Sequence, residues 1–182
     1  MTLGKEDWIM AGFRAVCRGG HAAVKVEVIA RELGATKGSF YWHFKDHAAL
    51  KREMLEFWRC KATDEIMTPL GEIEGAKEKI EALAEAASAS PDNSFGGSEI
   101  EAAIRDWGRY DPAVREAVHS VDVKRLTFTT ELFNALNLSP GKARTRAALF
   151  YAAYIGLLHQ GSLSNAIRGE RLLDFTRLLL SE

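Results

Sequence analysis

Apolar residues recur along this chain at spacings of three, four and seven, and no stretch of useful length alternates with a period of two. That pattern predicts an all-α protein. A first helix over 3–18 gathers Trp8, Ile9, Phe13, Val16 and Cys17 on one side, and Gly19-Gly20 stops it. A second helix begins near Lys25 and a short third one covers 36–43. Asp46 then N-caps a long fourth helix through Met67, with Leu50, Met54, Leu55, Phe57, Trp58 and Ile66 at helical spacing and Pro69 and Gly71 at its end. An Ala-rich helix follows over 75–89 with Ile80 and Leu83, and the breakers in 90–97 predict a loop. Ser98-Glu99-Ile100-Glu101 reads as a capping box for a helix ending near Arg109. Asp111-Pro112 opens a helix to about Leu136 that carries Val114, Val118, Val121, Phe128 and Leu132. Ser139-Pro140 opens another to Gly161, and the last runs over about 170–180.

Within this series, the segment from Val26 to Phe44 stands apart. Ile29, Ala30 and Leu33 face one side of a helix, Gly34 turns the chain, and Phe40 returns to the same core. A small residue such as Ala30 lets two helices cross closely, and Gly34 reaches φ > 0 without a Cβ clash. Helix, tight turn, helix is the grammar of a DNA-binding helix-turn-helix. Thr36 caps the second of the two helices, whose outer face carries hydrogen-bonding and aromatic side chains. Lys37 and Lys45 suit phosphates, with Lys25 as a third cation. Ser39, Tyr41 and His43 suit base edges or phosphates, and Trp42 suits a thymine methyl or the sugar backbone. The bland alternative makes Phe40, Phe44 and Trp42 core, with Tyr41 and His43 plain surface.

Composition refines this picture. The net charge of −1 alone argues against nucleic acid, but residues 1–60 hold ten Lys/Arg against seven Asp/Glu, while residues 61–182 hold fourteen against eighteen. A modestly basic head on an acidic body fits phosphate contact at one end, by two heads acting together. No apolar run is long enough for a bilayer and no leader pattern opens the chain, so the expectation is a cytoplasmic protein with no membrane partner. Cys17 and Cys60 read as buried, reduced thiols. His43 and His47 are four apart but straddle a turn, so no metal is expected; no catalytic motif and no cofactor are expected either.

The run IARELGATK-GSFYWHFKD resembles the recognition segment of the TetR family of bacterial transcriptional regulators. The resemblance is strong over residues 1–60. It implies a helix-turn-helix head, residues 1–48, joined by the fourth helix to a helical regulatory and dimerisation domain, residues 49–182. The implied function is a ligand-responsive repressor that binds a pseudo-palindromic operator on double-stranded DNA as a homodimer and is released by a small-molecule effector. A helical sensor or interaction protein that keeps the fold without regulating transcription is the alternative. Two positions depart from the family pattern: Lys25 stands where a Ser or Thr commonly caps the second helix, and His47 stands where a Lys commonly opens the fourth.

In the body the resemblance implies a ligand pocket among the middle helices. Trp107, Tyr110, His119, Phe128, Phe133, Tyr151 and Tyr154 are its candidates, each more readily read as ordinary core than as a ligand contact. Arg125 interrupts an apolar series and either faces a polar ligand or pairs with Asp122 or Glu131 at the surface. Residues 147–158 are apolar on nearly every side, and the last helix has more apolar surface than one face hides. Phe150, Tyr154, Leu158, Leu172, Phe175 and Leu179 are therefore expected to build a four-helix dimer interface. A monomer with a partner-binding patch is the alternative.

Overall fold

The computed structural model describes residues 3–89 and 99–181, and among them it contains helices and turns without a strand. The chain forms two compact units: residues 1–59 with 91–118, and residues 60–90 with 119–182. The first unit thus takes residues 100–118 together with the helix-turn-helix. The loop expected over 90–97, and Ser98 of the expected capping box, lie outside the described residues.

In the first unit α1 (Lys5–Gly19) ends where Gly20 adopts φ +65°, as the glycine pair predicts. Then come α2 (Val26–Glu32), α3 (Lys37–His43) and α4 (His47–Arg59). Trp8, Phe13, Ile29, Phe40, Leu50, Met54 and Trp58 are fully buried, which is what makes these short helices stable together. Each such side chain contributes about 1.5–3 kcal/mol on burial. Trp8 meets Phe40 edge to face at 5.5 Å. Gly12 admits the close passage of α4: a Cβ there would lie 2.7 Å from Met54 Sδ. From α7 (Ile100–Trp107), Glu101 buries its carboxylate between Trp58 Nε1–H at 3.3 Å and Arg105 at 2.8 Å. Lys51 meets Asp111 at 2.7 Å, and Asp111 caps α8 (Pro112–Asn134) by accepting from Ala113 N–H at 2.9 Å.

The fourth helix does not run unbroken to Met67. Residues Cys60–Asp64 widen into a π turn before α5 (Glu65–Leu70) resumes. A π turn shifts the backbone bonding by one residue and leaves carbonyls to find other donors. Arg125 on α8 supplies one, donating to the Ala62 carbonyl at 2.8 Å, and Lys124 pairs with Asp64. The second unit packs α5, α6 (Ala76–Ser88), the later part of α8, α9 (Pro140–Leu158) and α10 (Asn165–Leu180) around Ile80, Ala84, Phe133, Ala143, Ala147, Phe150 and Leu172. Here α10 starts before the expected 170, because Ser164 accepts from Ile167 N–H and caps it. Gly169 lets α10 approach α6; a Cβ on it would lie 3.0 Å from Ser88 Cβ.

The cysteines also differ from expectation. Cys60 is exposed, and Cys17 is half-buried. Burial, reinforced by the Glu99 carboxylate, pushes the Cys17 thiol up to about 11, so it stays protonated and unreactive at neutral pH.

Candidate nucleic-acid interface

The turn between α2 and α3 is built as its residues dictate. Gly34 takes φ +63°, Ala35 N–H reaches the Ala30 carbonyl at 2.8 Å, and Gly34 N–H reaches that of Arg31 at 3.2 Å. This pair of bonds closes the helix C-terminus around a left-handed residue, a role that glycine fills without strain. Thr36 then caps α3, its hydroxyl accepting from Ser39 N–H at 3.2 Å. Asp46 caps α4 by accepting from Ala49 N–H at 2.7 Å.

One face of α3 is locked into the core through Phe40 and Phe44, whose rings stack at 5.2 Å. The other is open. Trp42 is 88% exposed and Tyr41 is 56% exposed, on a helix of only seven residues. Trp42 is therefore not core. Lys25, Thr36, Lys37 and Lys45 are exposed too, Ser39 is half-buried, and His43 is half-buried with its ring 6.4 Å from that of Trp8. Thr36 spends its hydroxyl on the cap, while Lys25 opens α2 without any side-chain cap bond.

Two contacts at this surface have no signature in the local sequence. Lys37 forms an ion pair with Glu27 of α2. The hydrogen bond from Lys37 holds the Glu27 carboxyl below the usual carboxylate range, and the same bond raises Lys37. Further along, His47 Nε2–H donates to the Val24 carbonyl at 2.7 Å. His47 thereby ties the first turn of α4 to the residues just before α2, and that is its work in place of the expected lysine. Both contacts cross a turn, so helical periodicity cannot reveal them.

Residues 10–54, which span α2 to α3 and half of each neighbouring helix, match the sequence profile described as bacterial regulatory proteins, tetR family. Over residues 10–54 the chain carries the helix-turn-helix that this TetR-family profile describes. Solved structures share the fold of the whole chain. A TetR-family transcriptional regulator from Streptomyces coelicolor superposes with a TM-score of 0.77 at 19% identity, over 97% of this chain and 94% of that one. A transcriptional regulator from Saccharomonospora viridis in complex with choline gives 0.75 at 18% identity over 95% of each chain. The fatty acid degradation regulator FadR from Bacillus halodurans gives 0.74 at 16% identity, over 100% of this chain and 97% of that one. A comparison with curated proteins found no match.

TetR-family resemblance also nominated residues of the body. The structure brings Arg125, Tyr151 and Tyr154 together in the second unit. Arg125 is 7% exposed, its guanidinium 5.6 Å from the Tyr154 ring centre, and Tyr151 O–H donates to Asp122 at 2.6 Å. Arg125 is thus a buried cation and not a surface one. Phe128 is half-buried against the core of that unit, Phe133 is within it, and His119 is exposed. Trp107 and Tyr110 belong to the first unit, Trp107 buried and Tyr110 stacked on His21 at 4.8 Å. A groove between α6 and α10 is lined by Glu85, Ser88, Gly169, Leu173 and Arg177, and by none of these candidates.

Of the residues expected at a dimer interface, Phe150, Leu172 and Leu179 are buried in the core of their own unit. Tyr154, Leu158 and Phe175 are half-buried. The apolar side chains that α9 and α10 do expose are Leu149, Ile167 and Leu178, the last at 71%.

Proposed function

We propose that this chain is a repressor that binds a pseudo-palindromic operator as a homodimer and lets go when a small molecule binds. The observation that carries the DNA half is the exposure of Tyr41 and Trp42 on a capped helix whose opposite face is locked by Phe40 and Phe44. Tyr41 touches Phe40 with one edge and Trp42 lies almost wholly in water, so packing accounts for little of either ring, while in a major groove they meet thymine methyls and sugars. Lys25 and Lys45 flank them and serve phosphates; Ser39 and His43 lie at the edge of the same surface. Lys37 belongs to this surface, held there by Glu27. In this reading residues 1–48 touch DNA, and 49–182 regulate and dimerise.

Two heads of modest charge need each other, since each adds its own counterion release to a common complex. Leu149, Ile167 and Leu178 support pairing through α9 and α10, with Tyr154, Leu158 and Phe175 at the margins. For the effector, Arg125 with Asp122, Tyr151 and Tyr154 is the cluster that supports recognition of a small polar molecule, with Phe128 beside it. A cytoplasmic location follows from that role.

Retardation of the DNA upstream of the chain's own gene tests the reading. A specific complex at moderate salt, weakening steeply as salt rises, is expected. Only salt-sensitive, sequence-independent binding would sink it. Solution mass at micromolar concentration tests the pairing, and a monomer would count against it. A thermal-shift screen of small metabolites should raise the melting temperature for an effector by mass action.

A further inference from the structure

We infer that Glu27 and Lys37 together read one C·G base pair in each half-site. The Glu27 carboxylate accepts from cytosine N4–H, and the Lys37 ammonium donates to guanine O6 and N7. The inference rests on the DNA-binding reading above and adds a base to it.

The two residues come from different helices. Lys37 is the first residue of α3, and Glu27 is the second residue of α2. Each side chain is more than half exposed, at 55% and 58%, so core packing does not explain their meeting. The first residues of a recognition helix are those that reach base edges in the groove. A lysine there that served only a phosphate would have to leave its carboxylate. A carboxylate at a DNA-facing surface that served nothing would repel the phosphates and weaken binding. Both objections vanish if the pair stays together and meets a base pair as a unit.

The major-groove edge says which one. In a C·G pair, cytosine N4 and guanine O6 are already hydrogen-bonded to each other, so a donor and an acceptor sit side by side. That edge is the complement of an ion pair, which also sets an acceptor beside a donor. Guanine adds a second acceptor, N7, within reach of the same ammonium, and Glu to cytosine N4 and Lys to guanine O6/N7 are both favoured contacts. An A·T pair offers adenine N6–H to the carboxylate but gives the ammonium a single acceptor, thymine O4, beside a methyl group. Both members keep their charges near neutral pH, since the contact lowers Glu27 and raises Lys37.

The test is selection of duplex DNA from a random pool by the full-length protein, followed by affinities for the selected site and for the same site with one C·G pair changed to T·A. For the wild type, the selected half-site should hold a C·G pair whose replacement weakens binding by about tenfold or more. Glu27→Ala and Lys37→Ala should each cut that penalty to under about threefold, at the same pair, with the rest of the motif preserved. Lys45→Ala, by contrast, should weaken both DNAs to the same extent. An undiminished penalty in either variant overturns the assignment. So does Glu27→Ala tightening both DNAs equally, since Glu27 would then only screen Lys37. If the wild type selects a motif without such a pair, the assignment fails and DNA binding stands. If it selects no motif, DNA recognition itself fails.

Discussion

His47 Nε2–H donates to the Val24 carbonyl at 2.7 Å, fastening the start of α4 to the residues that lead into α2. A short helix-turn-helix has few places where its elements are held by anything but packing, and this bond is one. It gives a structural reason for a histidine where the family resemblance leads one to expect a lysine.

His47→Ala should therefore cost about 1 kcal/mol of stability, the net worth of one hydrogen bond. His47→Lys should lose the same tie yet add a cation beside the DNA surface. Expected results are a lowered melting temperature in both variants, and for the lysine variant alone a salt dependence of DNA affinity steeper by about one ion. Calorimetry and salt titrations separate the two effects.

Asp111 predicts a pH dependence. Burial on its own raises its carboxyl, but the hydrogen bond from Lys51 and the N–H groups of Ala113 and Val114 outweigh it and hold the group below the usual carboxylate range. An unfolded chain then takes up the proton first, near pH 3.9, so this contribution is full above about pH 5 and fades as pH falls through the lower folded value. Asp111→Asn keeps a capping side chain and removes the charge. Urea unfolding should find it less stable by about 1 kcal/mol at pH 7, with the gap closing below about pH 4. A gap that persists undiminished at pH 3 would contradict the assignment.

Thr63 sits fully buried in the π turn, and its Oγ1 has no hydrogen-bond partner among the described residues. A buried hydroxyl without a partner costs about 1–3 kcal/mol. Thr63→Val keeps the shape and discards the hydroxyl. Thermal unfolding of this variant should show a gain of about 1 kcal/mol, and a loss would mean that the hydroxyl is satisfied in solution.

Trp42 and Tyr41 separate function from stability. Trp42→Ala removes a side chain that is 88% exposed, so the melting temperature should move by no more than about 1 °C. DNA affinity should nevertheless fall about tenfold, and Tyr41→Ala should weaken it by at least about 1 kcal/mol. Wild-type affinity in either variant, read by fluorescence anisotropy, would remove that ring from the interface.

Much of this was legible before any coordinate. The caps at Thr36, Asp46, Asp111 and Ser139 and the turn at Gly34 fall where their side chains predict, because each acts on backbone within a few residues of itself. The π turn at Cys60–Asp64 was not, since an extra residue in a turn leaves the apolar spacing around it intact. Nor was the early start of α10, which carries Gly169 inside the helix where it passes close to Ser88 of α6.

By itself, the sequence determined where most helices begin and turn, that the fold is all helical, and which short helix carries exposed rings and cations. Those are short-range matters of capping, backbone conformation and periodicity. Only the tertiary structure decided that Phe150, Leu172 and Leu179 close their own unit's core, that Arg125 is buried, and that Glu27 holds Lys37. Periodicity tells which face of a helix avoids water, but not what covers it. A charge's partner across a turn is chosen by geometry that no local spacing records.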